Sequence, residues 1–520
     1  MKLHINDTFN KELPADSNTD NTRRKVFEAM YSYVRPKIPK APKLIHSSMD
    51  MVKAIGLNKT DVNSPQFLKI FSGAEVYPNT EPYAMAYAGH QFGNWAGQLG
   101  DGRAINLFEV NHKKQQWALQ LKGAGETPYS RQGDGLAVLR SSIREYLCSE
   151  AMFHLGVPTT RALSLMTSGD EVLRDILYDG NAAYETGAIV CRVAPTFLRF
   201  GNFELFAARQ DFENLKQLAD YTIKHFFPRL GKPSKATYIK LFQEIANRTL
   251  EMIVHWQRVG FVHGVMNTDN MSVLGLTIDY GPYGWLEGFD FGWTPNTTDR
   301  QNKRYRYGNQ PNIGLWNLLQ LANALYPLVE EAEPFESILN QYQTDFETKS
   351  LTMMRSKLGL IKEDNNDAKL IQRLEDCLLL SETDMTIFFR LLSNYKIGNS
   401  DGGLKIIEEA FYTLEEISET VAEAWKGWFK SYDKRLQKEE LTDQERQECM
   451  NLVNPKYVLR NYMAQLAIDQ ADNGDYALIE ELFTLLKRPY DEQLKFQKWF
   501  AKRPEWARHK VGCSMLSCSS

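Results

Sequence analysis

Residues 263–281, HGVMNTDNMSVLGLTIDYG, determine what kind of fold this chain adopts. Two carboxylates, Asp269 and Asp279, and one carboxamide, Asn270, stand here on either side of a short apolar run. Oxygen ligands of this kind suit Mg²⁺, which takes one or two protein ligands and leaves its other positions to phosphates and water. The apolar residues 274–278 predict a strand that ends at Asp279. A polar turn that caps a helix is the alternative for the residues around Asp269, but the second carboxylate favours a metal site.

The same stretch resembles the catalytic and metal-binding loops of protein kinases, in which HRDLxxxN is followed by a short hairpin and then by DFG. His263 stands seven residues before Asn270, as in that pattern, and Asp279 begins a DYG triplet in the place of DFG. Val265 occupies the place of the aspartate that serves kinases as a base. Asp269 is then the nearby carboxylate that can accept a proton.

A lysine and a glutamate upstream complete the same pattern. Lys122 ends a predicted strand, WALQLK, and Glu145 lies on the predicted helix that follows it. A Lys–Glu pair of this sort positions the ammonium group toward nucleotide phosphates. A solvated side chain is the alternative for a lysine at a strand end. The loop at 263–281 favours the interpretation of Lys122 as a phosphate-binding residue.

Two groups of glycines lie beside the predicted strands. The first, in AGQLGDGR, contains Gly100 and Gly102 and ends at Arg103. The second lies in the loop after Lys122 and closes with Asp134 and Gly135. Glycine lets backbone N–H groups approach phosphate oxygens closely. Neither group matches the common glycine motifs of nucleotide sites, so nucleotide contacts and tight turns between strands both stay open.

Two arginines stand on either side of a proline-containing turn. Arg192 and Arg199 lie in CRVAPTFLRFGNFE, where Arg192 follows an apolar run. Guanidinium groups bind phosphate oxygens in a bidentate manner, so this pair can hold a triphosphate. A surface ion pair is the alternative.

The remaining pattern predicts an α+β chain with a strand-rich amino-terminal part and a helical carboxyl-terminal part. A cleft between two such lobes is one way to hold a nucleotide. The predicted strands cover 103–110, 117–122, 162–166 and 188–194, and the predicted helices cover 136–155, 211–227, 235–259 and most of 312–429.

Composition excludes several classes of protein. The 520 residues are 43% hydrophobic and 24% charged, as in a chain that buries a core and unlike a disordered or collagen-like one. The net charge of −4 provides no overall positive field for nucleic acid. No apolar stretch reaches the roughly 20 residues of a membrane span. The start resembles no secretory or transit signal and the cysteines have no zinc-ligand spacing, so we expect a cytoplasmic protein without nucleic-acid or membrane partners.

Four long motifs resemble the family of selenoprotein O, the protein adenylyltransferases also called YdiU. They are YAGHQFGNWAGQLGDGR, LQLKGAGETPYSRQGDGLAVLRSSIREYL, CRVAPTFLRFGNFE and HGVMNTDNM…DYGP. The resemblance implies a protein-kinase-like fold that binds ATP in a flipped orientation. It implies transfer of AMP to Ser, Thr or Tyr hydroxyls of proteins with release of pyrophosphate, and for some members uridylylation from UTP with Mn²⁺. It also implies Mg²⁺ or Mn²⁺ as the metal, and we expect a monomer.

The resemblance also assigns roles by position. Asp269 would accept the proton, Asn270 and Asp279 would hold the metal, and Glu145 would support Lys122. The implied nucleotide contacts are Gly100, Gly102, Arg103, Lys122, Asp134, Gly135, Arg192, Arg199 and Asp279. The implied parts are an amino-terminal extension at 1–60, a strand-rich lobe at 61–201, a helical lobe at 202–430 and a helical segment with a tail at 431–520.

The tail GCSMLSCSS resembles the carboxyl terminus of that family, where some members carry selenocysteine third from the end. Cys518 occupies that position. The resemblance implies a reversible disulfide of Cys518 with Cys513 or with a cysteine in the kinase-like part. A disordered tail is the alternative.

Two other classes of function stay open at this point. One is an atypical kinase that uses Asp269 as base and transfers the γ-phosphoryl group. The other is a non-catalytic pseudokinase that binds nucleotide and acts as a scaffold. Asn270 and Asp279 argue against the scaffold, because it has little need of two metal ligands.

Overall fold

The computed structural model describes residues 1–176, 180–513 and 515–517. Its amino-terminal part is built on an antiparallel sheet, and helices dominate from residue 200 onward. The predicted division into a strand-rich and a helical part is confirmed. In the part of the chain described, no helix combines the length and the apolar character needed to cross a membrane.

The strands are short at the amino terminus and longest around residue 170. They are β1 (Tyr31–Tyr33), β2 (Lys43–Ser47), β3 (Tyr83–Met85), β4 (Ala88–Gln91), β5 (Asn94–Gln98), β6 (Ala104–His112), β7 (Gln115–Lys122), β8 (Ala137–Val138), β9 (Arg161–Arg174), β10 (Ala183–Ala194), β11 (Phe261–Val262) and β12 (Gly284–Trp285).

The main sheet has the antiparallel order β1-β3-β6-β7-β10-β9-β2, and β8 pairs with β10. The segment before residue 60 therefore supplies a strand at each end of the sheet. The β6–β7 hairpin turns at Lys113 and Lys114, whose φ angles of 51° and 65° suit the twist of a tight two-residue turn. The pair β4–β5 forms a separate hairpin within the connection between β3 and β6.

The helices form most of the chain after the sheet. They are α1 (Phe9–Glu12), α2 (Met49–Ala54), α3 (Lys59–Val62), α4 (Pro65–Phe71), α5 (Leu139–His154), α6 (Phe200–Ala208), α7 (Phe212–Phe226), α8 (Lys235–Val259), α9 (Gln310–Val329), α10 (Glu333–Lys357), α11 (Asp367–Leu378), α12 (Met385–Leu392), α13 (Gly403–Ile406), α14 (Glu419–Leu436), α15 (Asp443–Val453), α16 (Asn461–Ala471) and α17 (Ala477–Leu486).

The long helix α8 shows why the sequence predicted its ends correctly. Ser234 caps its first turn by accepting a hydrogen bond from the Thr237 N–H at 3.2 Å. Gly260 ends it in a left-handed conformation, with φ of 72°, which glycine adopts without steric cost. The face between these caps is apolar and buried.

Helix α5 is packed on both sides. It lies against β9 and β10 on one side and against α16 and α17 on the other. The carboxyl-terminal helices therefore cover the helix that carries Glu145. A second hydrophobic core, which extends from Val262 to Met450, holds α11, α12 and α14 together.

One predicted strand is wrong. Residues 274–278 form no regular strand, and Thr277 makes isolated bridges only, to Met271 and to Thr159. The Thr277 backbone instead pairs with residues 158–160, where its N–H donates to the Pro158 carbonyl at 2.9 Å. The apolar run is buried by these tertiary contacts, which a strand pattern cannot distinguish from sheet pairing.

A buried ion cluster joins the helical part to the segment after β12. The Arg460 guanidinium donates to both oxygens of Asp384 at 2.7 and 2.9 Å, and it also contacts the Glu287 carboxylate. Arg460 and Asp384 are almost fully buried. Asp384 also caps α12 through the Ile387 N–H at 2.9 Å.

We expect the substitution Arg460→Met to destabilise the fold by about 3–5 kcal/mol, because it leaves two buried carboxylates without their counter-ion. The measurement is the urea midpoint at pH 7. The matched control is Arg488→Met, whose partner Asp491 is 53% exposed and whose own side chain is 67% exposed. That control is expected to cost less than about 1 kcal/mol, and equal midpoints for the two variants would contradict the role of Arg460.

Candidate active site

The loop at 263–270 is held rigidly by side-chain amides. Asn270, Asn296 and Asn317 donate to the backbone carbonyls of residues 265, 264 and 266 at 2.9, 3.0 and 2.9 Å. The Nε2 atom of the buried His263 lies 2.8 Å from the Ile278 carbonyl oxygen. Each of these bonds satisfies a backbone carbonyl of an irregular loop, so the loop has one defined conformation.

Asp269 projects from this loop into a buried position. Its side chain is 8% exposed, and Gln91 Nε2 donates to its Oδ2 at 3.2 Å. Its Oδ1 is buried without a hydrogen-bond partner. Burial raises the pKa of Asp269 to about 7, an effect that the Gln91 hydrogen bond and the Arg199 charge oppose. A carboxyl group with this pKa exchanges protons near neutral pH, as a general base must.

The β4–β5 hairpin lies over the loop and carries Gln91. The His90 N–H donates to Thr268 Oγ1 at 2.7 Å. The Phe92 N–H donates to Asn267 Oδ1 at 3.1 Å and to the Tyr305 hydroxyl at 2.9 Å. These backbone bonds fix the hairpin against the residues that precede Asp269.

Asp279 is bound by both predicted arginines. Arg192 Nη1 donates to Oδ1 and Arg199 Nη1 donates to Oδ2, each at 2.5 Å. Burial alone would raise the pKa of Asp279, but Arg199 and Arg192 outweigh it and hold that pKa well below its usual range. Asp279 is therefore ionised at neutral pH, whereas Asp269 is near its midpoint. The alternative interpretation of Arg192 and Arg199 as a surface pair is wrong, since they are 3% and 1% exposed.

The arginine pair continues into the predicted lysine–glutamate pair. Lys122 Nζ forms an ion pair with Glu145, and Arg192 Nη1 lies 3.3 Å from the other oxygen of that carboxylate. Arg192 also donates to the Gln120 side chain. Burial lowers the pKa of Lys122, and Glu145 opposes this effect. One connected set of charges thus runs from Lys122 to Asp279.

The first group of glycines flanks Asp101, whose carboxylate lies 4.0 Å from the Arg199 guanidinium. Gly100 has φ of 124°, and a Cβ there would come within 2.5 Å of the Tyr129 ring. A Cβ on Gly102 would come within 2.8 Å of the Tyr129 carbonyl. Arg103 is partly exposed, and its carbonyl accepts from the Gly123 N–H at 2.8 Å. Close packing on Tyr129 therefore accounts for both glycines.

Asp134 and Gly135 make their contacts outside the charge cluster. Asp134 accepts two hydrogen bonds from Arg174 at 2.7 and 2.8 Å. Gly135 has φ of 68°, and a Cβ there would overlap the Gly125 carbonyl. Within the described residues, no hydrogen bond or ion pair connects either of them to Lys122 or Asp279.

The tail packs near the segment that follows Asp279. The Cys513 thiol is free and buried, and burial raises its pKa to about 11. The Thr297 N–H donates to the Leu516 carbonyl at 2.7 Å. Cys518 lies outside the described residues.

Comparison with known proteins identifies the family. The model of the family described as protein adenylyltransferase SelO matches residues 17–487. The chain belongs to the SelO family. A relative in Flavobacterium johnsoniae, named protein nucleotidyltransferase YdiU, is 62% identical over 519 residues, which cover 100% of this chain and 99% of the relative. Relatives of the same name in Rhodopirellula baltica and Aromatoleum aromaticum are 52% and 51% identical, again over 100% of this chain and 99% of theirs.

The family resemblance expected from the sequence motifs is thereby confirmed. This SelO-family chain is a protein adenylyltransferase, and the nucleotidyltransferase class expected from the motifs is confirmed with it. The match extends well beyond the four motifs quoted above, since residues 17–487 include most of the helices that follow the sheet.

Sequence reasoning missed several residues that contact the candidate site residues of this SelO-family chain. Gln120 lies two residues before Lys122 on β7, so strand alternation places both on the same face, and this signal was available. The buried Asp101 accepts from the side chains of Asn106 and Gln120, each at 3.2 Å. Gln91 gave no signal, because its contact with Asp269 spans 178 positions of the chain.

We expect Asp269→Asn to stabilise the protein at alkaline pH. The folded state raises the pKa of Asp269 from 3.8 to about 7, so stability from the protonated form is complete below pH 3.8 and is lost as pH rises through 7. The free-energy gap between variant and wild type should widen by about 2–4 kcal/mol between pH 4.5 and pH 8. Urea unfolding at both pH values measures it.

The control for this prediction is Asp491→Asn, the same substitution at an exposed site, measured at the same two pH values. If the free-energy difference between Asp269→Asn and the wild type does not grow with pH, the pKa of Asp269 is not raised in the folded state.

Proposed function

We propose that this SelO-family enzyme transfers AMP from ATP to Ser, Thr or Tyr hydroxyls of protein substrates and releases pyrophosphate, with UTP as a second nucleotide substrate. One observation carries the proposal. A buried carboxyl with a pKa of about 7, Asp269, is linked through Arg199 to a cluster of cations suited to a polyphosphate. Arg199 Nη1 donates to the Asp269 carbonyl at 2.8 Å, so the proton acceptor and the phosphate-binding group have a fixed relation.

We propose that the fold is kinase-like, with a strand-rich lobe at 61–201 and a helical lobe at 202–430. The order β3-β6-β7-β10-β9, with α5 between β7 and β9, supports this proposal. So does the pairing of Lys122 on β7 with Glu145 on α5. The segments 1–60 and 431–520 would be additions to this kinase-like unit. We further propose that the enzyme is a cytoplasmic monomer.

The nucleotide would bind in a flipped orientation, with its phosphates on Lys122, Arg192 and Arg199. Gly100, Gly102 and Arg103 would line one side of it. Asp134 and Gly135 would contact it from the loop whose Asp134 binds Arg174 at the end of β9. Phosphate oxygens would replace Asp279 as acceptors for Arg192 and Arg199, and the Asp279 carboxylate would become available to a cation.

The residues of this chain suit the proposed reaction. Asp269 would take the proton of the acceptor hydroxyl as the hydroxyl oxygen attacks the α-phosphorus. The bond from the α-phosphorus to the bridging oxygen breaks, and pyrophosphate leaves with the electron pair. Lys122, Arg192 and Arg199 would stabilise the charge that develops on the leaving group. Burial of Asp269 keeps water from competing for its proton-accepting oxygen.

The site chemistry fits Mg²⁺ or Mn²⁺. Asp279 is ionised at neutral pH, and Asn270 offers an amide oxygen from the adjacent loop. No cluster of three or more His, Cys, Asp or Glu side chains suited to a metal occurs in the described ranges, so the substrate phosphates would supply most ligands. When bound, the ion would neutralise phosphate charge.

Label transfer tests the proposal against a kinase and against a scaffold. The purified protein is incubated with Mg²⁺ or Mn²⁺ and with ATP labelled at the α or the γ phosphate, and self-modification is measured. We expect covalent label from α-labelled ATP only, with a loss of about 100-fold or more in Asp269→Asn because a general base supplies at least that factor. Asp279→Ala should also lose the label, and the exposed-site control Asp491→Asn should retain it.

Label from the γ phosphate alone would establish a kinase and contradict the proposal. Nucleotide binding without label from either position would establish a scaffold.

We also propose that the tail is a redox switch, in which Cys518 forms a disulfide with Cys513 or with another cysteine. Two thiols would give one disulfide and two protons, and a peroxide oxidant would take up both electrons and both protons as it becomes water. The free Cys513 and the contact between Leu516 and Thr297 near the catalytic loop support a link between tail and site. The high pKa of the buried Cys513 thiol makes it the resolving partner, not the first thiol oxidised.

Mass spectrometry of unreduced peptides, before and after peroxide, tests the switch. We expect a cross-link that contains Cys518 after oxidation and none in Cys518→Ser. Absence of any Cys518 cross-link under both conditions would end this part of the proposal.

A further inference from the structure

A strongly basic segment lies next to the loop that carries Asp269. Four of the seven residues 300–306 are cations, Arg300, Lys303, Arg304 and Arg306, in a chain whose net charge is −4. We call these four the basic rim. None of them forms an ion pair with any residue that the structure describes. The adjacent Asp299 is buried and accepts from the Arg304 and Tyr305 N–H groups at 2.9 and 2.7 Å, so it is committed to its own loop.

The basic rim is tied to the catalytic loop through the buried Tyr305. The Tyr305 hydroxyl donates to Asn267 Oδ1 at 2.7 Å, two residues before Asp269. The same hydroxyl accepts from the Phe92 N–H at 2.9 Å, which joins it to the β4–β5 hairpin. The basic rim therefore has a fixed position beside the proton acceptor.

The surface around the basic rim is open to a partner. Arg300 and Lys303 are exposed, and Arg304 lies over the Trp316 ring at 4.7 Å with its Nε buried and without a partner. On the neighbouring hairpin, Trp95 is 45% exposed. Four cations in one short loop repel one another, and an acidic partner relieves that repulsion.

The nucleotide does not account for the basic rim. Its phosphates have Lys122, Arg192 and Arg199, all buried and joined to one another through Glu145 and Asp279. In the described ranges no hydrogen bond or ion pair connects the basic rim to that cluster. Its link runs through Tyr305 to Asn267, two residues before Asp269, the proposed proton acceptor.

We propose that the basic rim binds acidic residues that flank the acceptor hydroxyl in the protein substrate. The enzyme thus selects hydroxyls in acidic segments of proteins. This inference rests on the proposed transfer of AMP to protein hydroxyls, and it adds the class of acceptor sequence that the site favours.

The test uses three synthetic peptides that place one serine between acidic residues, between alanines or between lysines, together with α-labelled ATP. Each exposed ion pair contributes about two- to fivefold in affinity, so we expect about a tenfold higher kcat/KM for the acidic peptide than for the alanine peptide. The preference should weaken as salt rises, because exposed charges are screened. The variant Arg300→Gln/Lys303→Gln/Arg306→Gln should lose the preference while the KM for ATP stays unchanged.

A matched control removes three other exposed charges, in Lys59→Gln/Lys369→Gln/Lys430→Gln, and should retain the preference. The single reversal Lys303→Glu provides a second test that needs only one surface change, and it should shift the preference toward the lysine peptide.

Three results would overturn the inference. These are equal use of the three peptides by the wild type, an acidic preference that survives in the triple variant, and a rise in the KM for ATP in that variant. Self-modification by α-labelled ATP in the same assays separates these failures from failure of the proposed function, which would abolish label on the enzyme and on every peptide.

Discussion

The site depends on the Asp279 carboxylate held between the guanidinium groups of Arg192 and Arg199. Arg192 lies on β10, Arg199 directly precedes α6 and Asp279 follows the loop at 263–270, so this contact joins the sheet to the helical part. Buried charges are costly unless they are paired. The pairing continues through Glu145 to Lys122, and the position of each member therefore depends on the others.

This cluster gives two nearby aspartates opposite properties. Asp279 faces two arginines and remains ionised, whereas Asp269 is buried with one oxygen unpartnered and has a pKa of about 7. This difference supports the proposed division of roles, in which Asp279 holds the cation and Asp269 accepts the proton. The burial that raises the pKa of Asp269 also makes its ionised form costly to the folded state. Carboxyl groups with a pKa shifted in this way are concentrated at functional sites.

The helices after residue 430 have a structural role in this arrangement. Helices α16 and α17 pack on α5, the helix that presents Glu145 to Lys122 and Arg192. Arg460, at the start of α16, reaches Glu287 just after β12. The carboxyl-terminal segment therefore supports the site through α5 and through the segment downstream of Asp279, although none of its described residues forms an ion pair with the charge cluster.

Much of the fold could be predicted from the sequence, because its signals are local. The caps of α8, the strand β7 ending at Lys122 and the helix α5 follow from residue patterns over a few turns or strand positions. The strand predicted at residues 274–278 is absent, because burial by packing and burial in a sheet produce the same apolar pattern. The family, too, was determined by the sequence, since its motifs are long.

Only the tertiary structure decided how these residues meet. It brought Gln91 to Asp269, Gln120 to Arg192 and Asp101 to Gln120, and it tied the basic rim through Tyr305 to Asn267. Each contact joins residues that are distant along the chain, and its strength depends on burial and on the orientation of both partners. A local pattern contains neither quantity. The sequence by itself determined which chemical groups this protein has and which elements carry them, and the packing of those elements determined their protonation and their partners.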